Sequence, residues 1–183
     1  MMKRLMVLIL VCSMLVMTAA MAENVIFTYR FADAEEAATL LLSNRTYYEN
    51  LNQMDLDFRM QKKGATLEEL EAFVPTQMLD FTDEEKQAID EGMNLIENVC
   101  RNQGYVLPKT DGIVFVKTTM HEESDAGAYT HGTQIYLGER LMNFGISAVP
   151  EEKEAFQVIL AHELFHCLTR NHPDFRKDMY EIL

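Results

Sequence analysis

One segment of the chain, residues 151–169, is predicted to form a long helix that is apolar on most of its surface. Pro150 is well placed to begin this helix, because the first helical position needs no backbone N–H group. The apolar side chains are Phe156, Val158, Ile159, Leu160, Leu164, Phe165 and Leu168. A helix with so apolar a surface is predicted to be buried, so the fold must enclose it.

Three polar side chains interrupt this apolar helix, in the motif His162-Glu163-Leu164-Phe165-His166. Positions four residues apart lie on the same face of a helix, so His162 and His166 can reach one zinc ion. Glu163 lies on the flank, where it can act as a general base toward water. Since a buried polar group without a partner costs about 1–3 kcal/mol, a metal site gives all three residues a role.

The segments before this helix alternate between helical and strand patterns. Residues 24–31, 113–118 and 128–137 are predicted strands, and the last is a strand or hairpin that bends at Gly132. Residues 32–42 and parts of 44–60 are predicted helices, and residues 141–148 form a loop or short helical turn. The order indicates an α+β fold in which helices precede a small mixed sheet with an edge strand.

Two helix starts are marked by capping boxes, Thr66 with Glu69 and Thr82 with Glu85. The second begins the clearest amphipathic helix, which is predicted to end near Gly104 in a left-handed turn. Its predicted packing face consists of Ile89, Met93, Ile96, Val99 and Cys100.

The first 22 residues have a basic start, an apolar core and a small-residue end at Ala20-Met21-Ala22. This layout predicts a secretory signal peptide cut after Ala22, with an uncleaved membrane anchor as the alternative. Residues 23–183 are then a single domain, exported to the periplasm, the cell envelope or the extracellular space.

The charge balance excludes one class of partner. The 183 residues carry 16 Lys and Arg against 29 Asp and Glu, a net charge of −13. Removal of residues 1–22 takes away two basic residues and leaves −15. So acidic a chain is not expected to bind nucleic acid or anionic membranes. Its oligomeric state is not predicted. Cys100 and Cys167 can either pair in an oxidising compartment or remain free.

The segment from Ala128 to His166 resembles the core of the zincin metallopeptidases. In that superfamily an edge strand borders the cleft and the HExxH helix packs below the sheet. The stretch AHELFHCLTRNHPDFRKDMY, residues 161–180, is similar to uncharacterised exported bacterial proteins in which H-E-L-F-H is followed in order by Arg, Pro, Arg and Tyr. The resemblance implies a zincin-like fold and a bound zinc ion.

A catalytic zinc site has three protein ligands and one open position, so a third ligand is needed. His172 occupies the place of the third metzincin histidine, although Thr169 stands where that pattern has glycine. The alternatives are acidic residues on the last predicted helix, which begins at Pro173, or a ligand beyond residue 183, because the chain ends without a helix stop signal. The acidic candidates are Asp174, Asp178 and Glu181.

Other polar residues are weaker candidates. Tyr129, Tyr136 and Tyr180 can donate a hydrogen bond to a developing oxyanion but are more typical of packing residues. His121 and His131 are predicted to be solvated loop residues. Cys167 is predicted to point away from the two motif histidines.

These features together predict an exported zinc peptidase. His162 and His166, with His172, hold zinc, and Glu163 takes a proton from the attacking water and passes it to the leaving amine. The edge strand within residues 128–137 pairs with an extended peptide or protein substrate. The alternative is a non-catalytic zincin-like binding or structural module of the cell envelope.

Overall fold

A computed structural model describes residues 26–181. In this range the chain is α+β, with a small five-stranded mixed sheet and hydrophobic clusters on both of its faces. The predicted fold class is therefore confirmed at this coarse level. The predicted signal peptide, residues 1–22, lies outside the described residues. Between residues 26 and 181, no helix has both the length and the apolar character to cross a membrane.

The sheet is mixed, and its strand order is β1-β3-β5-β4. Strands β1, β3 and β5 are parallel, whereas β4 runs antiparallel to β5 and forms an edge. The short strand β2 pairs antiparallel with the end of β3. The strands are β1 (Phe27–Phe31), β2 (Met78–Leu79), β3 (Thr110–Thr118), β4 (Ala128–His131) and β5 (Gln134–Gly138).

The helices follow the predicted positions closely. Both predicted capping boxes are formed, at Thr66 and at Thr82. Before β2 lie α1 (Ala34–Leu42), α2 (Arg45–Glu49), α3 (Gln53–Met60) and α4 (Leu67–Phe73), and after β2 lie α5 (Asp83–Asn102), α6 (Glu139–Gly145), α7 (Pro150–Asn171) and α8 (Pro173–Glu181). The predicted loop or turn after β5 is thus a seven-residue helix, α6.

The central strand β3 separates two hydrophobic cores. Ile113 and Phe115 point into the core that contains α5, α6 and α7, whereas Val114 and Val116 point into the core beside α1 and α4. A strand covered on both faces has a nearly continuous apolar sequence, which explains the IVFV run. The hairpin bends at Gly132, which has φ +59°, and α5 is followed by Gly104 with φ +75°, as predicted.

Two burial predictions are only partly correct. In α7, Phe156, Leu160, Leu164 and Leu168 are buried, but Val158 is 62% exposed, because only one side of this helix packs on the sheet. In α5, Ile89 and Met93 are buried but Val99 is 49% exposed. α7 approaches α5 most visibly at Gly92, where an added Cβ would lie 2.6 Å from Leu160, and Val99 lies about two turns beyond this point.

Candidate active site

The two motif histidines of α7 lie side by side with their ring nitrogens close together. The Nε2 atoms of His162 and His166 are 3.0 Å apart, and the ring planes meet at 88°. His162 is exposed and His166 is half-buried. Burial and the neighbouring His162 ring both lower the pKa of His166, which favours the neutral imidazole. A neutral imidazole is the form that binds a metal.

This pair fits zinc as two of its ligands. Zn–N bonds of about 2.0–2.1 Å in tetrahedral geometry place two ligand nitrogens about 3.3 Å apart, a few tenths of an ångström more than observed. No set of three His, Cys, Asp or Glu side chains within residues 26–181 is arranged to hold a metal ion. The described side chains therefore provide two histidine ligands rather than a complete three-ligand site.

Glu163 is held against the edge strand. Its side chain is nearly buried, at 6% exposure, and its Oε2 atom accepts a hydrogen bond of 2.7 Å from Thr130 Oγ1 on β4. The hydroxyl group fixes the carboxylate beside the two histidines, because all three residues and Thr130 line the same cleft. A carboxylate so placed can take a proton from a water molecule in the cleft.

β4 is an edge strand, so some of its backbone N–H and C=O groups point away from the sheet. Gly138 N donates a hydrogen bond to Gly127 O, just before the first paired residues of β4 and β5. In an antiparallel ladder, hydrogen-bonded pairs alternate with non-hydrogen-bonded pairs. By this alternation, Thr130 and Ile135 face each other without hydrogen bonds between them. The Thr130 carbonyl consequently points away from β5. It accepts a hydrogen bond from Arg170 Nη1 on α7.

The cleft has a volume of about 380 Å³, and Tyr47 and Glu123 form the wall that lies outside β4 and α7. There Tyr47 donates a hydrogen bond to Glu123, and Arg59 forms an ion pair with the same carboxylate at 2.8 Å. Arg59 Nε also donates to Tyr47 Oη at 3.0 Å. Burial and Glu123 raise the pKa of Tyr47, so its phenol stays protonated.

His131 lies at the end of β4 and lines this cleft, so the prediction that it is a solvated loop residue is wrong. Its ring packs edge-on against Tyr47 and Tyr136, with centroids 4.6 and 5.8 Å away. Burial, followed by Arg170 and Arg59, lowers its pKa to about 4. Its Nε2 atom is buried with no hydrogen-bond partner among the described residues.

His172 is not brought to the pair. It caps the end of α7, and its Nε2 atom lies 2.8 Å from Thr110 Oγ1 at the start of β3. The reason is that Thr169 stays helical, with its hydroxyl donating to Phe165 O. Because each helical residue turns by about 100°, His172, ten residues after His162, lies about 80° away from it around the helix axis. The acidic candidates Asp174, Asp178 and Glu181 are exposed on α8.

The remaining candidates are engaged elsewhere or exposed. Tyr129 donates to the buried Glu122, Tyr136 donates to Gln134, and Tyr180 is 58% exposed. His121 is exposed and pairs with Asp125. Cys100 and Cys167 are free thiols, and burial raises the pKa of Cys167 to about 11. Cys167 lies in the apolar core, as predicted.

Sequence reasoning missed Thr130, Arg170 and the wall of Tyr47 and Glu123. Arg170 had a readable signal, since it follows His166 by the same four-residue spacing that links His166 to His162. Thr130 had none, because its contact with Glu163 depends on how β4 packs against α7. The wall had none either, because 76 residues separate Tyr47 from Glu123.

Comparison of the chain with family models, with curated proteins and with solved structures found no match.

Proposed function

We propose that this protein is an exported zinc-dependent peptidase of the zincin type. The observation that carries the proposal is the common cleft of His162, Glu163 and His166, bordered by an edge strand with an outward-facing backbone. The motif supplies ligands and a base, and the outward-facing groups of β4 other than the Thr130 carbonyl, which Arg170 binds, supply a surface for an extended peptide.

The chain's own residues divide the chemistry between them. His162 and His166 would hold the metal, which supplies a Lewis acid for the scissile carbonyl and the attacking water. Glu163, oriented by Thr130, accepts the proton of that water and passes it to the leaving amine. The low exposure of Glu163 limits its hydration and keeps its carboxylate oriented.

A second cavity supports the idea of an extended substrate. It has a volume of about 530 Å³ and lies at the start of β4, between Gly127 and Ile159. Ile159 precedes His162 by about one turn of α7, and Gly127 immediately precedes β4, so each cavity is lined by residues in or beside these two elements. A peptide paired with β4 can place one side chain in this cavity, which has both apolar and polar lining residues, while its backbone passes Glu163.

The proposal is tested by the zinc content of the purified protein. We expect about one zinc ion per chain, its loss in the double variant His162→Ala/His166→Ala, and its retention in His121→Ala, which changes an exposed histidine outside this cleft. The same measurement on His172→Ala decides whether this residue moves in as third ligand. A folded protein that takes up no added zinc would contradict the proposal.

The second candidate is a non-catalytic zincin-like binding or structural module. The observation that bears on it is that His162 and His166 are joined by no third metal ligand within residues 26–181, so the complete zinc site of a peptidase is not formed there. A structural metal contributes to folding, so its removal with a chelator should lower the melting temperature strongly. A peptidase should instead lose activity while its fold, which rests on two hydrophobic cores, persists.

Thr130 is predicted to act as a positioning residue for Glu163. The variant Thr130→Val removes the hydroxyl that donates to the carboxylate, and we expect kcat for peptide hydrolysis to fall about 3- to 10-fold, the value of one hydrogen bond. KM and zinc content should stay unchanged, and Thr130→Ser should restore kcat. An equal loss in the Val and Ser variants would argue against this role.

A further inference from the structure

Arg170 stands in the cleft beside the catalytic motif, and the proposed peptidase chemistry does not use it. His162, His166 and Arg170 follow one another at intervals of four residues and all line the cleft. Such a row runs along one face of a helix, so the guanidinium lies one turn beyond His166. Arg170 is the only Arg or Lys that lines this cleft within residues 26–181.

The charge of Arg170 is not neutralised by a neighbouring carboxylate. It forms no ion pair within the described part of the chain, although acidic residues outnumber basic ones almost two to one. The two carboxylates that line the cleft are engaged elsewhere. Glu123 is bound by Arg59 and Tyr47, and Glu163 by Thr130.

Arg170 also has unused hydrogen-bonding capacity. Its guanidinium carries five N–H donors, and its one hydrogen bond in residues 26–181 runs from Nη1 to Thr130 O. The fork geometry of the remaining donors matches a carboxylate, which it can bind through two parallel hydrogen bonds.

We infer that Arg170 binds a carboxylate of the substrate and that the protein selects peptides carrying one near the scissile bond. This inference rests on the proposed peptidase function. Glu163 and Arg170 both bond to Thr130, one to its hydroxyl and one to its carbonyl, so the recognised carboxylate lies close to the reacting bond. Two sources share this chemistry, the C-terminal carboxylate of a peptide and an Asp or Glu side chain.

Three hexapeptide libraries separate these sources. The first lacks Asp and Glu and has a free C-terminus, the second is its C-terminal amide, and the third is an amide containing one Glu. We expect the zinc-loaded protein to cleave the first or the third library about 10- to 100-fold faster than the second. A preference for the first identifies the C-terminal carboxylate, and a preference for the third identifies an acidic side chain.

Variants at position 170 test the residue itself. Arg170→Gln should abolish the preference, Arg170→Lys should keep part of it, and Arg101→Gln, an exposed arginine outside this cleft, should behave as wild type. A merely structural role, such as capping the Thr130 carbonyl, lowers cleavage of all libraries equally and leaves their ratio unchanged. An unchanged ratio in Arg170→Gln would overturn the inference.

A binding measurement separates this inference from the peptidase proposal. Fluorescently labelled members of the three libraries are titrated with zinc-loaded Glu163→Gln protein, with and without Arg170→Gln, and anisotropy is recorded. Tighter binding of carboxylate peptides that depends on Arg170 supports the inference even when wild type cleaves nothing, which would defeat the peptidase proposal alone. Equal affinity for all three libraries would overturn the inference and leave cleavage to be judged separately.

Discussion

Replacement of Glu163 by Gln is expected to lower kcat for peptide hydrolysis by about 10²- to 10⁴-fold, the usual contribution of a general base. The amide cannot accept the proton of the attacking water. Its carbonyl oxygen can still accept the hydrogen bond from Thr130 Oγ1, so the side chain should keep its position. The change therefore removes the proton acceptor and little else. Initial rates on a peptide library, measured beside zinc content, give the result.

Glu154→Gln is the matched control for this variant. It makes the same chemical change on an exposed residue of α7, and its activity should equal that of wild type. Glu163→Gln should retain zinc, because the two histidines that would bind it are unchanged. Full activity in Glu163→Gln would contradict the peptidase mechanism. If both wild type and Glu163→Gln bind zinc and neither cleaves peptides, the binding-module alternative is favoured.

Phe156→Ala is expected to lower the free energy of unfolding by about 3–5 kcal/mol, the cost of truncating a buried aromatic side chain. Phe156 is 1% exposed and fills the junction of α5, α6 and α7. An added Cβ on Gly145 would lie 3.2 Å from its ring, and one on Gly92 would lie 3.7 Å away.

Urea unfolding followed by circular dichroism measures this change through its midpoint and slope. Phe58→Ala is the matched control, since Phe58 is 67% exposed on α3 and its truncation should cost no more than about 0.5 kcal/mol. Because α7 also carries the motif, Phe156→Ala should weaken zinc uptake as temperature rises. A loss below about 1 kcal/mol would mean that this junction is not tightly packed.

Local features of the fold were predictable because neighbouring residues determine them. The capping boxes at Thr66 and Thr82 involve residues three apart, and the bend at Gly132 needs one residue with positive φ. The juxtaposition of His162 and His166 follows from helical geometry alone. Because such features depend only on short segments, the rest of the fold does not change them.

Contacts between distant segments were not predictable in the same way. Val99 matches the packing face of α5 but is half exposed, because α7 crosses that helix near Gly92. His131 precedes the bend at Gly132, a position that predicts exposure, but Tyr47, which lies 84 positions earlier in the chain, packs against its ring. The residue pattern of one segment does not indicate which distant segment will pack against it.

By itself, the sequence determined the α+β class, the two capped helix starts, and the helix that presents two histidines and a glutamate together. The tertiary structure decided what surrounds them. It set Thr130 against Glu163, turned the Thr130 carbonyl toward Arg170, and placed His172 against Thr110 instead of beside His166. The physical reason is that helical spacing acts within a few residues, whereas strand order and register bring together side chains tens of residues apart.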